Sequence, residues 1–249
     1  MDSNPTVWLP PPDQVPLSED AVHVWLLDLG RPPPASAWAT LSDDERGRAE
    51  RLRTGRRETY VSAQHQLRCV LSRYLDAAAQ DLRFARGPHG KPYLAGPEGS
   101  TVRFNLSHSG DRALVAVTLQ REVGVDLEYQ RGVDALALAR RFFSGTEAQA
   151  IAGLPSAQQQ QALFFRLWTC KEALGKAAGI GIQGVLEGVQ VASASNRWQS
   201  HVPALNTDQW LLLSLPPVPG YAASLALAAG TVELRCWSSP AHDRSPSLA

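Results

Sequence analysis

Cysteine is scarce in this chain. Cys69, Cys170 and Cys236 are the only three among 249 residues. They lie far apart and form no Cys-x-x-Cys pair, which argues against a regularly spaced disulfide framework and fits a reducing compartment. Long apolar runs are also missing. Leu211–Leu215 is stopped by Pro216 and Pro217, and Tyr221–Ala229 is too short to cross a bilayer. Neither sign of charge is in excess, because 24 Lys and Arg balance 24 Asp and Glu. No global field recruits nucleic acid or a membrane surface, so any anion site has to be built locally. The proline-rich N-terminus carries acids in place of a basic-then-apolar secretory signal. The expectation is a soluble cytoplasmic protein with no nucleic-acid partner and no membrane partner.

The composition, 44% hydrophobic and 19% charged, is that of a globular chain. Its length allows one large domain or two of ordinary size. Residues 1–20 read as an irregular lead-in and 239–249 as a flexible tail. The Gln120-Arg121-Glu122 turn divides the remainder into 21–121 and 122–238. Periodicity predicts strands at Val22–Leu29, Leu82–Ala85, Val102–Leu106 (with Ser107-His108-Ser109 at its end) and Ala113–Leu119. Further strands are expected at Gly124–Glu128, Val185–Ala192, Trp198–Val202, Trp210–Leu215, Tyr221–Ala228 and Val232–Trp237. Helices are expected after Ser42, over about Tyr60–Ala78, over Asp134–Arg141, after Ser144 and around Trp168–Lys176. Gly153–Gln161 reads as a loop or a helix start, and no internal repeat is evident.

Chemistry gathers in a few stretches. In Gly124-Val-Asp-Leu-Glu, Asp126 and Glu128 are two apart, so on a strand both carboxylates share a face while Val125 and Leu127 take the other. Crowded carboxylates repel, and one holds a proton unless a cation neutralises them; oxygen ligands of this kind suit Mg²⁺ or Mn²⁺. In Trp168-Thr-Cys-Lys-Glu-Ala-Leu-Gly-Lys, Trp168, Glu172 and Lys176 recur at i, i+4 and share a helix face, while Leu163, Leu167 and Leu174 form a core stripe. Lys171 and Trp168 read as framework. Arg46, Arg48, Arg51, Arg53, Arg56 and Arg57 cluster near one helix. They are either a solvated face balanced by Glu45, Glu50 and Glu58, or a rim for phosphates. Lys91 sits on a Gly-Lys-Pro turn, where a lysine can reach an anion. His108 has no Gly-x-Ser-x-Gly partner motif that would suggest a hydrolase triad.

Taken together, Gly90-Lys-Pro-Tyr, Phe104-Asn-Leu-Ser-His-Ser-Gly, Gly124-Val-Asp-Leu-Glu and Trp168-Thr-Cys-Lys-Glu-Ala-Leu-Gly-Lys occur in an order that resembles the Sfp-type 4′-phosphopantetheinyl transferases. The motifs span Gly90 to Lys176. The resemblance implies an α+β fold of two similar α/β subdomains related by pseudo-twofold symmetry, acting as a monomer. It also implies transfer of 4′-phosphopantetheine from coenzyme A (CoA) to a serine of an apo acyl or peptidyl carrier protein, releasing adenosine 3′,5′-bisphosphate.

On that resemblance the first half binds the CoA phosphates through Lys91, the Ser107-His108 pair, and arginines among Arg51, Arg53, Arg56 and Arg57. The second half supplies the metal-binding acids Asp126, Glu128 and Glu172, with Mg²⁺ or Mn²⁺ as cofactor. Lys176 meets the pyrophosphate, and Glu172 is either the general base, directly or through water, or a metal ligand alone. Asp126, Glu172 and Lys176 are thus the expected catalytic group. The carrier is expected near Val133–Ile151, through Arg140 and Arg141 with Phe142 or Phe143 as an apolar anchor, or else these residues are solvated and core respectively. Two other readings use the same residues: a non-catalytic CoA- or carrier-binding protein of this fold, and a Mg²⁺-dependent phosphodiester hydrolase.

Overall fold

The computed structural model describes residues 7–96, 101–186, 188–191, 198–200, 205–206 and 209–238. The expected tail, the first six residues of the lead-in, and the expected strand ends at Ala192 and 201–202 lie outside the described residues. The first half contains strand β1 (Ala21–Asp28), helices α1 (Ala37–Thr40), α2 (Asp43–Glu50) and α3 (Thr54–Ser72), a short hairpin β2 (Arg83–Arg86) and β3 (Pro92–Ala95), and a long hairpin β4 (Val102–Ser109) and β5 (Arg112–Leu119). The second half begins with β6 (Val123–Tyr129), followed by α4 (Ala135–Phe142), α5 (Gly145–Ala152) and the long α6 (Ala157–Ala178). It ends with α7 (Gln183–Leu186), β7 (Val189–Val191), β8 (Trp198–Ser200), β9 (Trp210–Ser214), β10 (Tyr221–Ala228) and β11 (Glu233–Ser238).

The two halves follow the same path. In the first, β1 leads through α3 to β4 and β5, and the antiparallel order is β1-β5-β4. In the second, β6 leads through α6 to β9 and β10, and the antiparallel order is β6-β10-β9. One strand departs from this plan: β11 crosses back and pairs in parallel with the outer edge of β1.

Alternation along the strands sets the layers. Trp25, Leu27, Val115 and Val117 pack with Leu67, Val70 and Leu71 of α3. Val22, Val24, Leu114 and Ala116 face the other way and share a core with Val123, Val125, Leu127, Leu225 and Leu227. On the far side Ala222 and Ala226 pack with Leu167, Cys170, Ala173 and Leu174 of α6. The molecule is therefore layered helix, sheet, sheet, helix. Asp126 and Glu128 face α6, opposite Val125 and Leu127.

Local signals account for several element boundaries. Ser42 and Glu45 close a reciprocal capping box on α2, and Ser144 and Glu147 do so on α5. Asp134 caps α4, and Ser156 caps α6 through the Gln159 N–H. Some boundaries differ from those expected. The helix predicted over Tyr60–Ala78 runs Thr54–Ser72 instead. Buried Arg68 takes the carbonyls of Ala79 (2.9 Å) and Leu82 (2.8 Å), which turns the chain back after the helix. The same guanidinium pairs with Glu45 at 2.7 Å and so fastens α2 to α3. The strand predicted from Val185 begins only at Val189, because Lys171 Nζ gathers the carbonyls of Leu186 and Val189. Ser107-His108-Ser109 lie within β4 and pair with Leu114, Ala113 and Arg112 of β5.

One contact fixes how close α6 lies to β6. A Cβ on Gly124 would stand 2.1 Å from the Ala173 carbonyl oxygen and 2.4 Å from the Ala177 nitrogen, both backbone atoms. Only glycine allows this approach. Gly124→Ala should therefore cost about 3 kcal/mol or more, at the upper end for overpacked cores, because no side chain can rotate away. Urea denaturation would measure it; an unchanged midpoint would show that the helix gives way freely.

Candidate active site

The close approach at Gly124 brings the strand acids beneath the helix. Asp126 is 3% exposed. Its Oδ1 accepts from Lys176 Nζ at 2.6 Å and Ser107 Oγ at 2.8 Å. Its Oδ2 is buried with no hydrogen-bond partner. Glu128 Oε2 accepts from Ser109 Oγ at 2.9 Å. Glu172, half-buried on α6, is raised to about pH 7 by burial first and by the Asp126 charge next, with Glu128 adding to both and Lys176 opposing. Burial, with the Asp126 charge behind it, also lifts Glu128, against the Ser109 hydrogen bond. Asp126, Glu128, Glu172 and Lys176 are thus one electrostatic unit.

Among the described residues, no three His, Cys, Asp or Glu side chains form a ready-made metal cage. The donor set nevertheless fits a hard divalent cation. It offers carboxylate oxygens only, one of them buried and unpartnered, and like charges whose repulsion a cation would remove.

The other expected residues fall into three groups. Ser107 is buried, and its hydroxyl is committed to Asp126, to the Leu127 N–H at 3.3 Å and to Lys176 at 3.0 Å. His108, its neighbour, is exposed; the surrounding protein first, then the Lys176 and Arg48 charges, hold its imidazole below its ordinary pKa. Lys91 Nζ bonds Glu122 at 2.8 Å and the carbonyls of Val123 (3.1 Å) and Ala177 (3.5 Å), joining the Gly-Lys-Pro turn to the start of β6 and the end of α6. It also lines a cavity of about 480 Å³ with His89, Tyr93, Arg103, Phe104 and Glu122.

The arginine cluster divides. Arg57 donates to the carbonyls of Glu50 and Leu52, at 3.3 and 3.2 Å, and closes the corner between α2 and α3. Arg51 and Arg53 flank that corner as helix caps, and Arg56 follows in α3; all three are exposed. The cluster member within electrostatic reach of His108 is Arg48, which also lies over the Tyr60 ring at 5.3 Å. Arg86 acts on Tyr60 from β2, and sequence reading missed it. Among the carrier-side candidates, Arg140 and Arg141 are exposed and Phe142 is half-buried under Arg141. Phe143 is core, stacked on Phe164 at 5.2 Å. Lys171 is fully buried on Glu147 at 2.9 Å, as a framework residue.

Two layered α/β halves with a strand acid pair beneath a Glu–Lys helix describe a class of two-part transferase. Family models agree with that description. A model for the N-terminal part of 4′-phosphopantetheinyl transferases matches residues 35–120, and the 4′-phosphopantetheinyl transferase superfamily model matches residues 122–224. The chain is 38% identical to the 4′-phosphopantetheinyl transferase HetI of Nostoc sp. over 92% of its own length and 97% of that protein's. It is 36% identical to a putative 4′-phosphopantetheinyl transferase of Synechocystis sp., over 78% and 79% of the two chains. With the 4′-phosphopantetheinyl transferase Sfp of Bacillus subtilis it shares 33% identity over half its length and 54% of that protein's. The chain belongs to the Sfp-type 4′-phosphopantetheinyl transferases.

The elevated Glu172 gives a signed pH effect. Its pKa rises from 4.5 to about 7 on folding. The folded state therefore binds more protons in that window, and the associated stability is complete below pH 4.5 and lost as pH rises through 7. With EDTA present, Glu172→Gln should match the parent at pH 5 and exceed it by roughly 1–3 kcal/mol at pH 8. Chemical denaturation at the two pH values would read this, and an equal difference at both would contradict it.

Proposed function

We propose that this protein transfers 4′-phosphopantetheine from CoA to a serine of an apo acyl or peptidyl carrier protein, with Asp126, Glu128, Glu172 and Lys176 as its chemical centre. The observation that carries the reading is the crowding of three carboxylates around a lysine at the junction of β6 and α6, with proton affinity raised at Glu172 and Glu128. Crowded carboxylates with a raised proton affinity are costly to maintain, and functional sites are where such costs persist.

In this reading the anionic end of CoA lies against locally placed positive groups. His108 donates a hydrogen bond to phosphate, with Arg48 in electrostatic reach of it, and Arg86 shares the surroundings of Tyr60 with Arg48. The cavity beside Lys91 suits the nucleotide end of CoA, and exposed Arg51, Arg53 and Arg56 add positive potential at the rim. Ser107 serves indirectly, holding Asp126. Asp126, Glu128 and Glu172 would hold Mg²⁺. A bound Mg²⁺ supplies polarisation of the pyrophosphate and neutralisation of charge on the leaving group. The carrier serine oxygen forms a bond to the β-phosphorus as the bond to the bridging oxygen breaks, and adenosine 3′,5′-bisphosphate leaves. Glu172 takes the serine proton through an intervening water, because a carboxylate engaged with a cation is a poor direct base. The Lys176 ammonium stabilises the charge on the departing oxygen. The carrier approaches from the α4 side, where Arg140 and Arg141 suit an acidic surface.

The same reading puts the enzyme in the cytoplasm as a monomer, since one chain supplies the strand acids, the helix acid and the lysine. The cysteines are free, and among the described residues no helix is long and apolar enough to cross a membrane. Intact-protein mass spectrometry of an apo carrier incubated with CoA and Mg²⁺ tests the proposal. The carrier should gain one phosphopantetheinyl mass, EDTA should abolish the gain, and Glu172→Ala should slow it roughly a hundredfold or more. CoA binding without transfer to any of several carriers would favour a binding protein. Cleavage of CoA without a carrier would favour a hydrolase.

A further inference from the structure

We propose that Asn105, Ser107 and Ser109 form a side-chain ladder along the free edge of β6, and that Ser109 is the positioning residue for Glu128. The inference rests on the metal-binding reading of the acids. It goes beyond it by giving a role to residues outside the acid set.

β6 pairs through its backbone with β10 on one side only. On the other side the N–H groups of Val125, Leu127 and Tyr129 face β4. Such groups need partners when they are held away from water. No backbone ladder joins β4 to β6. Three side chains take its place. Asn105 Oδ1 accepts from Val125 N at 2.9 Å, Ser107 Oγ from Leu127 N at 3.3 Å, and Ser109 Oγ from Tyr129 N at 3.0 Å. The offset is 20 residues at every rung. Alternate residues of β4 thus meet alternate residues of β6, and the seam has a fixed register. A slip by one residue would turn Asn105, Ser107 and Ser109 away from the seam and bring apolar Phe104 and Leu106 to it.

Two rungs continue beyond the backbone. A serine hydroxyl has one proton to donate and lone pairs to accept with. Ser107 accepts from Leu127 N and donates to Asp126 Oδ1; Ser109 accepts from Tyr129 N and donates to Glu128 Oε2. Each hydroxyl therefore ties the carboxylate of one residue to the backbone N–H of the next. Chains of this kind polarise along their length, and they restrict the carboxylate's orientation. Asp126 has a second restraint in Lys176. Among the described residues, Ser109 is the one hydrogen-bond donor given to Glu128. Without that bond Glu128 would have to be ordered at the moment of cation binding.

The test needs neither CoA nor a carrier, so its failure is separable from failure of the transferase reading. In metal-free parent, Ser109→Ala and Ser109→Thr proteins, amide hydrogen exchange is followed residue by residue, and Mn²⁺ binding is titrated by electron paramagnetic resonance. In Ser109→Ala the Tyr129 amide should exchange about tenfold faster or more while amides of β1 and β5 keep their rates. Mn²⁺ affinity should fall about tenfold or more, and Ser109→Thr should restore both. Unchanged Tyr129 protection, unchanged Mn²⁺ affinity, or acceleration spread evenly over the molecule would each overturn the proposal.

Discussion

The structure depends most on the absence of one side chain. At Gly124 the β6 backbone meets the α6 backbone with no room for a Cβ. That contact brings strand carboxylates and a helix carboxylate within strong mutual influence, although they are some 45 residues apart in sequence. From it follow the raised affinity of Glu172 for a proton and the burial of Asp126. Lys176, one turn beyond Glu172, supplies a balancing charge at 2.6 Å from Asp126 Oδ1. A single ammonium does not offset three carboxylates, and Asp126 Oδ2 is left without a partner. Such an imbalance of charge is what the proposed divalent cation would relieve.

Repetition of one topology explains how the site comes to lie between halves. Each half makes a strand, a long helix and a hairpin in the order first-third-second, and each covers one sheet face with its helix. The uncovered faces meet in the shared core of Val22, Leu114, Val125, Leu127 and Leu225. With β11 lying against β1, the second half also embraces the first. Relative motion between the halves is therefore opposed by an apolar core, an exchanged strand and the β4–β6 seam. Such restraint suits the proposed centre of β4, β6 and α6, because small displacements of groups that act together are costly.

Much of this was legible in the chain because the signals were local. The face shared by Asp126 and Glu128, the capping residues Ser42 and Ser144, and the i, i+4 alignment of Glu172 with Lys176 follow from strand and helix periods alone. What escaped the sequence was long-range. Six neighbouring arginines look alike in sequence, yet Arg57 is consumed by the carbonyls of Glu50 and Leu52 while Arg48 reaches toward His108. Arg86 gave no signal, since its charge acts on Tyr60 of α3, 26 residues earlier, while its own hydrogen bond to the Gly90 carbonyl is local. The late start of β7, at Val189, escaped because Lys171, which lies in α6, holds the carbonyls of Leu186 and Val189. The β4 side-chain ladder did leave a trace: a polar residue at every second position of Asn105-Leu-Ser-His-Ser, matched to every second residue of Val125-Asp-Leu-Glu-Tyr. Its meaning required knowing that the two strands are neighbours.

The two lysines of α6 show how position decides chemistry. Lys171 and Lys176 are five residues apart, about 140° around the helix, so they cannot serve the same surroundings. Lys171 points into the core, where Glu147 and the carbonyls of Leu186 and Val189 surround its ammonium and the Phe143 ring lies 4.8 Å away. A charge so enclosed makes no contact with ligand; it fixes α5, α6 and β7 relative to one another, and removing it would strand Glu147 as an unpaired buried acid. Lys176 shares a face with Glu172, stays half-exposed, and touches Asp126, Ser107 and the Val125 carbonyl. The framework lysine thus holds the helix in place, and the helix in turn presents Lys176 and Glu172 to β6.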